Sequence, residues 1–197
     1  IGEYVFCDCS SLASITIGDG VTSIGYRAFY NCSSLTSVYI SDIAAWCNIS
    51  INTYGSPFNY AHNLYLNNEL VTNVTIPDGV TKIGKGAFAY YTNLKTITIP
   101  SSVTVIGASA FEDCDNLKSV TISDGVNKIG DGAFSGCSRL TNITIHAIVP
   151  PTCEYAFTEF DKSACTLCVP SGYAAAYQAA NQWKDFLIVE GAGGTEG

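Results

Sequence analysis

Cys47 and His62 are the pair in this sequence whose types could make a nucleophile and its base. A cysteine attacks as its thiolate, so it needs a base or a cation at its side, and the base in turn needs an acid to orient it. The chain has two histidines, and His146 follows a strand-like Ile145 at a position that reads as exposed. His62 reads as a structural or solvated side chain ahead of a catalytic one. Cys165-x-x-Cys168 has zinc-ligand spacing, with Cys153 nearby, but a second Cys-x-x-Cys or a His pair is missing. Structural zinc takes four ligands. Unpaired thiols and a disulfide among Cys153, Cys165 and Cys168 are the readings left open there. Glu112, Asp113 and Asp115 cluster as paired carboxylates do in glycosidases, and a solvated face is the simpler reading, ahead of a calcium site. Asn31-Cys-Ser33, Asn48-Ile-Ser50, Asn73-Val-Thr75 and Asn142-Ile-Thr144 match the glycosylation pattern, as a Ser/Thr-rich chain will by chance. These residues predict no catalytic site, no metal and no cofactor.

The composition narrows the partners. Net charge is −8, and the nine Lys and Arg are scattered singly. Nucleic acid and anionic membranes call for a basic footprint, so neither is expected. No apolar run approaches the roughly 18 residues of a membrane span, so this segment is not expected to insert. The chain has no Met and no signal peptide and opens on Ile1; it reads as a mature or truncated piece of a longer protein.

What positions every one of these residues is a repeat. Ile106-Gly-Ala-Ser-Ala-Phe111-Glu-Asp-Cys114-Asp-Asn-Leu117-Lys-Ser-Val120-Thr-Ile122 opens a 23-residue unit that recurs from Ile129-Gly130, and earlier from Ile83-Gly84, Ile24-Gly25 and Ile1-Gly2. A fixed period of this size marks a solenoid. Leu-x-x-Ile-x-Ile alternates as a strand does, and Asp19-Gly20, Asp78-Gly79 and Asp124-Gly125 supply turns after it. The Ala-Phe-x-x-Cys spacing predicts a short helical or 3₁₀ turn on the far side. Stacked repeats make columns: Phe6, Phe29, Phe88, Phe111, Phe134 and Phe157 in one, Cys9, Cys32, Cys114 and Cys137 in another. The cysteines therefore read as buried thiols, since free Cys behaves as a small hydrophobe. The fold predicted is an α/β solenoid: a right-handed coil with one short parallel strand per 23-residue repeat, short helical turns on the other side, and a C-terminal helical cap.

The solenoid is expected to occupy residues 1–190 as a single unit, with repeats from 1, 24, about 60, 83, 106, 129 and 152. Residues 41–70 read as an insert, with Asp42 capping a short helix and Leu64-Tyr-Leu66, Asn67-Asn68 and Leu70-Val71 forming a hairpin. Residues 170–190 read as the cap, with a helix from about Tyr173 to Asn181, and residues 191–197 as a flexible tail. The insert gathers Trp46, Tyr54, Phe58, Tyr60 and Tyr65. The outward strand positions form a polar ribbon that includes Tyr39, Thr75, Thr98, Thr121 and Thr144. Together these ten residues are the candidate ligand-binding set, although the Thr row is also what strand propensity alone would select.

The repeat Ile-Gly-x-x-Ala-Phe-x-x-Cys-x-x-Leu-x-x-Val-x-Ile-x-Asp-Gly-Val resembles the BspA-like leucine-rich repeat. Trp46-Cys-Asn-Ile, Tyr60-Ala-His-Asn-Leu-Tyr-Leu and the ending Val169-Pro-Ser-Gly-Tyr with Tyr177 and Trp183 resemble segments of the same family. The resemblance implies a leucine-rich-repeat fold and a secreted or cell-surface protein of bacteria, typically of gut or mouth, adhering in some members to host matrix or other cells. It carries over no catalytic residues. The expected function is a non-enzymatic binding module that engages a host or neighbouring-cell protein or glycan. The alternative is a repeat spacer that presents a distal domain and has no ligand of its own.

Overall fold

Ile and Val at alternate positions favour a half-buried strand, and in the computed structural model, which describes residues 1–191, they form one. In chain order the strands are β1 (Ser14–Thr16), β2 (Ser23–Ile24), β3 (Ser37–Ile40), β4 (Ser50–Ile51), β5 (Asn63–Leu66), β6 (Glu69–Leu70), β7 (Asn73–Thr75) and β8 (Lys82–Ile83). They continue as β9 (Thr96–Ile99), β10 (Val105–Ile106), β11 (Ser119–Ile122), β12 (Lys128–Ile129), β13 (Asn142–Ile145), β14 (Thr166–Pro170) and β15 (Leu187–Gly191). Two α-helices of six residues, α1 (Ile43–Asn48) and α2 (Ala174–Ala179), and three 3₁₀ turns, Thr53–Gly55, Pro57–Asn59 and Lys162–Ala164, complete the set. Neither α-helix approaches the length of a membrane span.

The front of the molecule is a sheet in two segments, β1-β3-β5-β6 and β7-β9-β11-β13-β14-β15, parallel throughout except for β6, which runs antiparallel to β5. A narrower ladder, β8-β10-β12, with β2-β4 as its counterpart, lies further along each coil. Register is strict: Val120 pairs with Ile97 on one side and Ile143 on the other. The inward residues are buried and join in one continuous core. Phe88, Phe111, Phe134 and Phe157 stack with ring centroids 5.2–5.5 Å apart. The molecule is solenoid-like, with each coil covered by its neighbours.

The far side of the coil formed by residues 41–66 carries two 3₁₀ turns, Thr53–Gly55 and Pro57–Asn59, but in the regular repeats it is not helical. Gly86 and Tyr90, and likewise Ser109 and Asp113, have left-handed backbones (φ between 53° and 66°), and an α-helix cannot pass through such residues. They turn alternate N–H groups in opposite directions. Ala89 and Tyr91 donate within their own turn, to Gly86 and Phe88. Phe88 and Tyr90 donate to Ala110 and Glu112 of the next coil, at 2.8 and 2.7 Å. In the regular repeats the predicted helical turns are thus a ladder of tight turns that laces one coil to the next.

Residues 41–66 do not project from the stack. They supply a coil of their own, with β4 on β2 and β5 on β3. Asp42 caps α1 through Ala44 N and Ala45 N, and the hairpin turns on Asn67 and Asn68, both left-handed as such a two-residue turn requires. Trp46 and Phe58 are each 1% exposed. Trp46 donates its indole N–H to Ala87 O at 3.0 Å, and Phe58 stacks on Tyr91 at 4.7 Å. Both are removed from the ligand-contacting candidates, because their rings fill the core where no repeat Phe is available.

Tyr91 stands where other coils have Cys, and its hydroxyl donates to Val71 O and accepts from Leu64 N. Cys9 also departs from expectation: it is exposed. At the other end α2 is shorter than predicted; turns follow it, and the closing element finishes as a strand. Trp183 and Phe186 set their edges on Phe157, and β15 then pairs with β14. Gly191 belongs to that strand and not to a flexible tail; residues 192–197 lie outside the described residues.

Candidate binding face

Alternation along a strand puts every second side chain on the front, and register joins these side chains into rows. One row runs Thr16, Tyr39, Tyr65 and Leu70 across the first segment. It resumes in the second as Thr75, Thr98, Thr121, Thr144 and Cys168. Tyr39 and Tyr65 stack at 4.9 Å with planes 14° apart. Each covers a ring face of the other, so the pair presents edges and hydroxyls. Beside this row Thr96 Oγ1 donates to Asn73 Oδ1 at 2.9 Å. The face is mostly polar and uncharged, rich in groups that can both donate and accept, with Leu70 at the break and Leu187 and Val189 at the far end as exposed apolar exceptions.

The two segments are not hydrogen-bonded to each other. The hairpin occupies the edge of β5, and after two linking residues the chain enters β7. A notch of about 190 Å³ opens between them, lined by Ile43, Leu66, Glu69, Leu70, Val71, Asn73, Val74 and Thr75. Thr72 O accepts from Lys95 N and Ile76 N donates to Thr98 O, so the even residues of this stretch address β9. By alternation, Asn73 and Thr75 turn their backbone N–H and C=O to the notch. Behind it the junction is closed: Gly84 N donates to Cys47 O, Ser56 Oγ to Ala89 O and Asn93 Nδ2 to His62 O.

Tyr39, Tyr65, Thr75, Thr98, Thr121 and Thr144 are therefore brought together on one face. Tyr60 is not among them; its hydroxyl accepts from Asn31 N at 2.9 Å. Tyr54 is 68% exposed on the turn side. It ends a run of edge-on rings, Tyr4, Tyr26 and Tyr54, with centroids 5.7 and 5.9 Å apart. The Arg27 guanidinium lies 5.2 Å from the Tyr26 ring and 4.7 Å from the Tyr30 ring. Tyr4, Tyr26, Arg27 and Tyr30 are absent from the sequence-based candidates. Their signal is a column near the fourth repeat position, masked by the variable spacing of Tyr54.

Cys47 and His62 lie in different environments. Cys47 is buried, its thiol pushed up to about 12 by burial and secondarily by Asp42, and a buried thiol is inert. His62 is exposed, its Nδ1 3.4 Å from Thr92 Oγ1. Asp113 is pushed up by partial burial and then by Glu112, Asp115 and Glu159. Cys165 is buried while Cys168 faces the other side of β14. Among the described residues no three His, Cys, Asp or Glu side chains converge on a point as metal ligands do.

Six copies of the BspA type leucine rich repeat region match the chain, over residues 1–54 and 59–174. No curated protein matches it. Among solved structures, a leucine-rich repeat protein from Eubacterium ventriosum is 23% identical, with a TM-score of 0.51 over 86% of this chain and 51% of that one. This chain spans about half the length of that protein, and the likeness bears on the fold. A leucine rich repeat protein of T. pallidum is 19% identical over 87% of this chain and 80% of its own, with a TM-score of 0.44. A leucine rich cell surface protein from Faecalibacterium prausnitzii is 22% identical over 88% of this chain and 71% of its own, with a TM-score of 0.32.

Proposed function

The chain belongs to the BspA-type leucine-rich repeat family, and from that premise we propose that it is a non-enzymatic binding module of a bacterial cell surface, engaging a protein or glycan of a host or neighbouring cell. The observation that carries this reading is the front row: a register-locked line of tyrosine and threonine hydroxyls, broken at one place by an open notch. Rows of this kind offer a ligand many weak polar contacts at fixed spacing, and the notch offers the concave spot where binding energy concentrates. A second reading, a spacer that holds a distal domain away from the cell, is favoured by one fact: threonine is also a plain strand former.

The test is a screen of the chain on an array of host matrix proteins and glycans beside the Thr98→Glu/Thr121→Glu variant. Both side chains point outward, so the thermal melt should stay within a few degrees of the parent. A captured ligand lost at least tenfold in the variant supports the binding face. Capture that survives the variant moves the site elsewhere, with Tyr54→Ser testing the turn-side tyrosines. An array with no capture supports the spacer.

A further inference from the structure

We infer that the notch between β6 and β7 receives a basic side chain, lysine or arginine, carried on an extended segment of a protein ligand. The inference rests on the reading of the front as a binding face. The make-up of the notch wall carries it. Paired residues in an antiparallel hairpin share a face, so Leu70 stands on the outer face with Tyr65, and Glu69 stands on the inner one with Leu66. Thr75 is outward and exposed, and Val74 is inward and buried. A side chain entering the notch meets Leu70, which is 46% exposed, and the Glu69 carboxylate, which is exposed as well.

An apolar wall beside a carboxylate matches an aliphatic stem that ends in a cation, the build of lysine and arginine. A leucine would leave the carboxylate unpaired, and an acidic chain would meet like charge. Glu69 makes no ion pair among the described residues, and the net charge of −8 favours a basic partner at longer range. The space suits the size as well: about 190 Å³ holds one long side chain. The backbone of Asn73 and Thr75 faces the same opening unpaired by a neighbouring strand. An extended segment can hydrogen-bond to that edge while its side chain enters the notch, as in strand addition to a free sheet edge.

The experiment is a nitrogen-15 NMR titration of the chain with acetyl-Thr-Val-Lys-Val-Thr-amide and with its counterparts carrying arginine, norleucine or glutamate at the centre. Norleucine keeps the stem of lysine and removes the charge. The lysine and arginine peptides should move the amide signals of Glu69 to Thr75 and bind about fivefold more tightly than the norleucine peptide. Glu69→Gln, an exposed change, should bring the lysine peptide down to the norleucine level without altering the rest of the spectrum. Equal binding of lysine and norleucine peptides, indifference to Glu69→Gln, shifts confined to other strands, or stronger perturbation of the notch by N-acetyllactosamine than by any peptide would each overturn the inference. A failed titration beside an array ligand that still depends on Thr98 and Thr121 removes the basic occupant and leaves the binding face. An array without capture tells against the face itself.

Discussion

A thiol at the ninth position of the repeat fills a small apolar space and still has a proton to donate. Cys32, Cys114 and Cys137 use it alike, each placing Sγ 3.1 Å from the carbonyl oxygen of the Phe one coil earlier. The sequence shows the column and its burial; the hydrogen bond belongs to the stacking and is visible only in three dimensions. Burial, the first cause, pushes the Cys137 thiol from its ordinary value near 9 up to about 12, and Cys47 likewise to about 12. Their folded-state values lie above their unfolded ones, so the folded chain holds protons that the unfolded chain has released. The stability they contribute is whole below about pH 9 and falls as pH rises toward 12, by about 1.4 kcal/mol per pH unit for each such thiol. Urea melts at steps from pH 8 to 11 should show this decline, and Cys137→Ala should make it shallower. A decline unchanged in the variant would mean that other groups set it. At pH 8 an aromatic disulfide reagent should label the exposed Cys9 in the native chain while leaving Cys114 and Cys137 untouched.

Elements were legible wherever one coil dictates its own shape. The strands, the Asp42 cap and the Asn67-Asn68 hairpin follow from local sequence, and all are present. Elements set by the neighbouring coil were not. The turn ladder on the far side depends on left-handed residues as different as Gly86, Tyr90, Ser109 and Asp113, which share no side-chain chemistry to betray them. Trp46 and Phe58 looked like exposed anchors because aromatic residues in a non-repeating stretch suggest a surface. Their burial comes from the coil that the stretch itself forms. The glycine at the second repeat position has a reason of the same kind. A Cβ on Gly107 would lie 2.7 Å from Lys85 N in the adjacent coil, and backbone cannot move aside as a side chain can. Gly107→Ala should therefore cost about 1–3 kcal/mol, the usual range for overfilling a packed interior, read as a lower urea midpoint with an unchanged slope. A midpoint at the parent value would show that the coils can separate there without loss.

Across the whole molecule the same rule gives a front sheet in two segments over a core that is not divided. The periodicity predicts the stack of coils. It is silent on the notch, since the absence of pairing between β6 and β7 is a relation between chain segments that repeat counting treats as continuous. Every bond between coils, in the front sheet and in the turn ladder, points along the solenoid axis. Pulled by its two ends, such a molecule is opened like a zip, one rung at a time, and not sheared as a block. Each coil released between partners 23 residues apart should add about 7–8 nm of slack at about 3.5 Å per residue. Single-molecule stretching should record a train of such steps at low force, and one rupture of the full length would refute it. At the notch the front rungs are missing and the junction relies on those behind, so the give under tension should concentrate between residues 66 and 73. A tether of this design lets out its length gradually, and it softens first where its face is open.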